Sequence, residues 1–220
     1  MCWALLIQSA LFLRLGQADE AERRAEEGLR LADGETMKSE AICALCGLAL
    51  ARLLKGDDSG AFEAAERALV QARATKPVAY WLQGALAFLA EVLLSLHEKG
   101  WAPAPSSATV SKLADEAVEM LRRFAQQIPL ARPHAHLWNG LAAHLAGKQA
   151  RAHREWQKAV SLGSHFGLPY EVCRANFEIG RHRPAGDERT AILDEARAEF
   201  QRLGCAADLA RMEHLAVERA

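Results

Sequence analysis

The sequence predicts an all-α protein built from helix hairpins that stack into a solenoid. The same spacing follows three glycines, Gly16, Gly56 and Gly147. Five, nine and twelve residues after each glycine the side chain is small, except for one tryptophan. Thirteen residues after each glycine stands an aliphatic residue, which is Leu in two cases and Val in the third. Spacings of four and three place these side chains on one helical face, where small residues let a neighbouring helix approach closely. Alternating β-branched runs are absent, and Ala, Leu, Glu and Arg, which favour helices, dominate.

The first two hairpins are expected at about 2–31 and 37–74. Each begins with an apolar helix and ends with a helix that carries the small residues. A glycine, Gly16 or Gly56, ends the first helix, as a left-handed cap should. The two glycines lie 40 residues apart, which gives the length of the repeat.

The third hairpin is expected at about 78–126 and contains a loop insertion at 98–108. Pro103 and Pro105 prevent this insertion from being helical throughout. Removing roughly a dozen residues there restores the repeat length. We therefore interpret it as a loop within one domain rather than as a domain boundary.

The last two hairpins are expected at about 134–163 and 168–203, followed by a capping helix at 205–219. The cap has one apolar stripe with charges elsewhere, which suits the end of a stack. The stripe consists of Cys205, Leu209, Met212 and Ala216. The sequence thus predicts a single helical-repeat domain over 1–220.

Composition and charge exclude several classes of protein. The chain has 27 basic and 28 acidic residues, so no overall charge attracts nucleic acid or a membrane surface. Five scattered cysteines do not form a disulfide framework and indicate a reducing, cytoplasmic location. The apolar start lacks the basic segment and cleavage site of a signal peptide, and no uncharged apolar run reaches the roughly 20 residues that a membrane span needs.

The repeated spacing resembles that of tetratricopeptide repeats. Five residues fall in the family's pattern of small, turn, small, large aromatic and small positions: Gly140, Gly147, Ala152, Trp156 and Ala159. Arg52 and Ala143 depart from it, because they replace the aromatic residue near the end of the first helix. The resemblance implies a right-handed α-α superhelix that binds protein segments.

A second resemblance covers about 80–215. The stretches 86–94, 167–171 and 200–211 resemble the C-terminal helical region of large bacterial signalling proteins. In those proteins the repeats follow an ATPase module, which is linked to a cyclase, a kinase or a DNA-binding domain. The resemblance implies that this chain is part of a longer protein whose catalytic residues lie elsewhere.

No pattern of residues predicts catalysis, a metal or a cofactor. The Cys43-x-x-Cys46 pair lies within a helix without a second pair, whereas zinc needs about four ligands. His134 and His144 are nearly three helical turns apart, too far to share an ion. The basic stripe around Arg154 is interrupted by an acidic residue, so we do not expect nucleic-acid binding.

The family resemblance implies a groove lined by the first helix of each hairpin. Its N-terminal part would be apolar and its C-terminal part basic, which would suit a peptide with apolar anchors and an acidic tail. The alternative is that these residues are core. The set consists of Trp3, Leu6, Cys43, Cys46, Leu50, Glu91, His134, Leu137, His144, Arg174, Phe177 and Arg181.

Two functions remain open at this point. The first is a non-catalytic, regulatory interaction scaffold for a peptide or for another domain of its own protein. The second is a repeat domain that binds a small molecule and switches an attached ATPase, cyclase, kinase or DNA-binding module. The apolar first hairpin, with Trp3 and Leu6 close to the start of the chain, leaves two alternatives: another repeat belongs before it, or its surface pairs with a partner, for example a second copy in a homodimer.

Overall fold

The computed structural model describes residues 2–32, 37–75, 79–102 and 108–217, and this part of the chain contains eleven α-helices, one short 3-10 helix and no strand. The helices are α1 (Cys2–Arg14), α2 (Ala18–Leu31), α3 (Lys38–Leu54), α4 (Asp58–Ala74), α5 (Leu82–Glu98), α6 (Ala108–Gln127), α7 (Arg132–Leu145), α8 (Gln149–Phe166), α9 (Pro169–Arg181), α10 (Asp187–Leu203) and α11 (Ala206–Val217). The 3-10 turn is Pro129–Ala131. The prediction of an all-α helical repeat is confirmed.

Most helices begin and end within three residues of the expected positions. The third hairpin differs, because α5 begins only at Leu82 after a turn at Tyr80 and Trp81. The fourth begins earlier, at Arg132, since Pro133 is tolerated in the first turn of α7. Positions 103–107 of the expected insertion lie outside the described residues.

Two of the hairpin turns show why the sequence places glycine there. Gly56 has φ +80° and Gly147 has φ +73°, a left-handed conformation that side chains with a Cβ rarely adopt. The amide of the residue after each glycine donates back to the preceding helix, for example Asp57 N to Arg52 O at 2.9 Å. The glycines therefore end the first helix of their hairpins as predicted.

Small side chains form the contact between paired helices. Ala61, Ala65 and Ala68 on α4 are fully buried, as are their counterparts on α2 and α8. A Cβ on Gly140 of α7 would overlap the indole ring of Trp156 on α8. The repeated spacing is thus a pattern of close approach between helices.

The chain divides into two compact units. Unit 1 consists of Met1–Leu13 and Gln17–Ala131 and contains α2 to α6 with nearly all of α1. Within it α3 and α5 are the most deeply buried helices and pack against each other. Ser9 Oγ of α1 donates to Ala21 O of α2 at 2.9 Å, which satisfies a buried hydroxyl between those helices.

Charged side chains join α2 and α3 at the rim of unit 1. Arg52, which replaces the aromatic residue of the family pattern, donates from Nε to Glu22 Oε1 at 2.9 Å. Lys55 Nζ lies 2.8 Å from the other oxygen of Glu22. The departure from the pattern is therefore compensated by an ion pair between neighbouring helices.

In the same unit, Trp101 of the expected insertion folds back onto the repeats. The ring centroid of Trp101 lies 5.2 Å from that of Phe62 on α4, and the indole is half-buried. Trp101 therefore packs against α4 within unit 1.

Unit 2 consists of Arg14–Gly16 and Arg132–Ala220 and contains α7 to α11. Its core includes Phe177 of α9, Phe200 of α10 and Met212 of α11, and Leu209 packs against it. The expected stripe of the capping helix therefore faces the core at Cys205, Leu209 and Met212, whereas the side chain of the fourth member, at position 216, lies outside the described residues. Across the described ranges, no helix is long and apolar enough to cross a membrane.

Candidate interaction surface

Unit 1 buries four of the six residues that the resemblance placed in its groove. Leu6, Cys46, Leu50 and Glu91 lie in the interior. Leu6 packs against α2, where its Cδ2 would lie 3.0 Å from a Cβ at Gly28. In this arrangement these four residues belong to the core, the alternative that the sequence left open.

The two cysteines of the C-x-x-C pair are structural thiols. Burial raises the pKa of the Cys43 thiol to about 12 and that of Cys46 well above its ordinary value, and nearby acidic or thiol groups add to both shifts. Since the thiolate is the reactive and metal-binding form, both side chains act as small apolar groups. Among the described residues, no cluster of three or more His, Cys, Asp or Glu could hold a metal ion.

Unit 2 also buries most of its expected groove residues. His134, Leu137, Arg174 and Phe177 are buried. The guanidinium of Arg174 lies 5.1 Å from the ring of Phe177 and 5.2 Å from that of Trp138, so it is held between aromatic faces. The expectation that Arg174 lies in an open groove is not met in this structure.

The physical reason is a buried ion network centred on Glu178, whose carboxylate is fully buried. One oxygen bonds to Arg174, and the other accepts from Arg181 Nε at 2.6 Å. The Nε atom of Arg174 also lies 3.6 Å from Asp208 on α11. Burying an arginine is most costly when it lacks a partner, and here it has two carboxylates.

This network controls the protonation of Glu178. Burial alone would raise the pKa of its carboxyl group. The charges of Arg181 and Arg174 outweigh that effect, and with His182 they hold the pKa well below its ordinary value. Glu178 is therefore an anion that pairs with two arginines of its own helix, α9. One of them, Arg174, also links α9 to Asp208 on α11.

His144 and Arg181 are half-buried in unit 2. The imidazole ring of His144 lies 3.7 Å from that of His182, which stacks on the indole of Trp156 with an interplanar angle of 5°. His144 Nδ1 also lies 2.7 Å from Gln149 Oε1. The two residues thus lie at the edge of the packed helices, with partners of their own.

One face of α1 remains apolar and exposed. Trp3, Ile7 and Leu11 follow one another at intervals of four residues, and Ile7 and Leu11 expose 65% and 54% of their surface. Tyr80 and Trp81 adjoin this face, since the ring centroid of Trp81 lies 4.7 Å from that of Trp3. We call these five side chains the α1 face.

Only Trp3 of the α1 face was among the expected groove residues. The i, i+4, i+8 spacing of Trp3, Ile7 and Leu11 was visible in the sequence, but so was an equally apolar opposite side with Leu5 and Leu6. The other two members precede α5 in a turn, where no helical periodicity predicts their position.

Among solved structures, a helical-repeat protein is similar in fold to this chain. The crystal structure of a thermophilic TPR protein in Thermus thermophilus is similar with a TM-score of 0.56 and 20% sequence identity, over 99% of this chain and 98% of that one. No protein-family model matches the chain, and no curated protein does so either. The similarity supports a TPR-like helical-repeat fold.

Proposed function

We propose that this chain is a non-catalytic protein-interaction scaffold whose docking surface is the α1 face. The observation that carries the proposal is the run of exposed apolar side chains on α1, without a charge between them. Surface helices normally turn a polar face outward. The exposed face of α2 follows that rule, with Asp19, Arg23 and Glu26, whereas α1 does not.

The size of the α1 face favours a short partner segment. A fully exposed side chain of this kind offers roughly 150–250 Å² of surface. Multiplied by the exposed fractions of the five side chains, this leaves about 500 Å² of apolar surface in contact with water. A stable interface between folded proteins buries about 800 Å² on each side. The α1 face alone falls short of that area, but it matches one amphipathic helix.

The chemistry of the α1 face defines the partner further. Between Trp3 and Leu11 the exposed positions are Ala4, Ile7 and Gln8, none of which is charged. A helix with apolar anchors at spacings of three and four would pack along them. We propose that the partner is such a helix, supplied by another protein or by another domain of the same polypeptide.

Selection from a library of displayed helical peptides tests this proposal. Peptides selected on the wild-type chain should bind at least about tenfold more weakly to the Ile7→Glu, Leu11→Glu double variant, because a carboxylate would be buried against apolar anchors. Both residues are exposed, so the variant should keep its helical circular dichroism. Val70→Glu, which changes an equally exposed residue on α4, is the matched control.

Equal binding of the selected peptides to the wild-type chain and to the double variant would refute the α1 face as the docking surface. Sedimentation of the chain alone tests the homodimer that the sequence left open. A dimer that Ile7→Glu dissociates would assign the α1 face to a second copy and replace the helical peptide as its partner.

The second candidate function is a domain that senses a small molecule. It is favoured by a cavity of about 260 Å³ in unit 2, lined by residues of α9, α10 and α11. For either function we propose a cytoplasmic location, which the five unpaired cysteines support.

A further inference from the structure

A cavity in unit 2 combines an apolar floor with charged groups that have no ion-pair partner. The floor consists of Phe177 on α9, Leu193 on α10, and Met212 and Leu215 on α11. Phe177 and Met212 belong to the core of the unit. The volume of about 260 Å³ is slightly below the roughly 300–1,000 Å³ of drug-sized sites and suits a smaller molecule.

Two arginines line this cavity from α10. Arg189 and Arg197 lie on one helical face with Leu193 between them, eight residues or about 12 Å apart along the axis. Neither forms a salt bridge with any residue that the structure describes, although most other arginines of unit 2 do. Two unpaired guanidinium groups around one cavity favour an anionic ligand group.

The Nε atom of Arg189 adds a second, independent observation. It is buried and has no hydrogen-bond partner within the described ranges. A buried donor without an acceptor is costly, and such groups are rare in folded proteins. A ligand carboxylate beside Arg189 would satisfy this donor once the side chain rotates and turns Nε towards the cavity.

The cavity also contains a negative charge. Asp194 lies on α10 between the two arginines and has no salt bridge in the described structure. A ligand with an ammonium group close to its carboxylate would pair with the aspartate through the first group and with the arginines through the second. The apolar floor would then hold a hydrophobic side chain.

We propose that this cavity binds a free α-amino acid with an apolar side chain, such as leucine or phenylalanine. Arg189 and Arg197 bind its carboxylate, Asp194 binds its ammonium group, and the half-buried floor residues Leu193 and Leu215 hold its side chain. The proposal deepens the sensor candidate and is independent of the α1 face, because every residue in it belongs to unit 2.

Isothermal titration of the full chain with L-leucine and L-phenylalanine tests the proposal. At least one should bind, and it should raise the melting temperature with the concentration dependence of RT ln(1 + [L]/Kd). 4-Methylpentanoate, which lacks the ammonium group, and 3-methylbutylamine, which lacks the carboxylate, should each bind at least about tenfold more weakly than leucine. No heat and no melting shift with either amino acid at 10 mM would overturn the proposal.

Substitutions in the cavity test whether the ligand binds there. Arg189→Gln and Arg197→Gln should each weaken binding at least about tenfold, and Asp194→Asn should remove the preference for leucine over 4-methylpentanoate. Arg151→Gln, an exposed arginine on α8 outside the cavity, should bind like the wild-type chain.

Unchanged affinity in both arginine variants would overturn this location of the site. Equal binding of leucine and 4-methylpentanoate to the wild-type chain would overturn the amino-acid class. The Ile7→Glu, Leu11→Glu variant should bind amino acid normally, so failure of the docking surface and failure of this site give different results.

Discussion

Removing the charge of Glu178 tests the buried ion network of unit 2. Glu178→Gln keeps the shape of the side chain but leaves Arg174 and Arg181 without their shared carboxylate. Arg174 is 3% exposed, so water cannot take the place of that partner. Breaking a buried pair in this way costs about 3–5 kcal/mol. We expect the lower end, about 3 kcal/mol, because Asp208 remains 3.6 Å from Arg174 Nε.

The effect should depend on pH in a definite direction. Because the pKa of Glu178 is lowered in the folded chain, its stabilising contribution is present above the unfolded value of about 4.5 and is lost as the pH falls towards the folded value. The difference in the free energy of unfolding between the wild-type chain and Glu178→Gln should therefore be flat above about pH 7. It should shrink below about pH 4.5, where the unfolded wild-type chain takes up the proton.

Urea unfolding followed by circular dichroism measures this difference. Glu116→Gln is the matched control, because Glu116 accepts two hydrogen bonds from Arg73 at 2.6 Å but both side chains are exposed. Exposed pairs contribute about 0.2–1 kcal/mol. Equal losses of stability in the two variants would refute the view that the Glu178 network is a buried and tightly coupled one.

Three further outcomes concern packing and thiol chemistry. Gly140→Ala should lower the free energy of unfolding by about 1–3 kcal/mol, because its Cβ would overlap Trp156. Gly84→Ala should raise the free energy of unfolding by up to about 1 kcal/mol, since that helical position has open space around it. A Gly84→Ala variant that unfolds at lower urea concentration than the wild-type chain would contradict the packing argument. Cys43 and Cys46 should react with Ellman's reagent at least about a hundredfold more slowly in the folded chain than in urea, because burial raises both thiol pKa values. Comparable rates in the two conditions would show that these thiols are open to solvent.

The helices could be predicted from the sequence because their signals are local. A glycine turn and small residues at spacings of four and three specify each hairpin without reference to distant parts of the chain. The 3-10 turn Pro129–Ala131 and the late start of α5 at Leu82 could not be predicted in this way. Both occur where the chain passes between hairpins, and there packing against other helices determines the backbone.

The exposure of individual side chains was harder to predict than the helices. The family resemblance placed Arg174 in an open groove, and the sequence did not show that Glu178 and Asp208 would both reach it. Asp208 lies 34 residues further along the chain, on α11. For Ile7 and Leu11 the spacing indicated a common face, and only the position of the neighbouring helices shows that this face is uncovered.

The alanine contacts between paired helices restrict how this protein can change. Ala21, Ala61 and Ala152 are fully buried, and almost every substitution there would enlarge the side chain. Added volume in such a contact must push two backbones apart, whereas a large core residue such as Phe200 can be trimmed and partly accommodated by its neighbours. Substitutions at the helix contacts therefore almost always add volume, and added volume destabilises the stack. New binding properties are more readily acquired at outward positions, where neither gain nor loss of volume disturbs the packing.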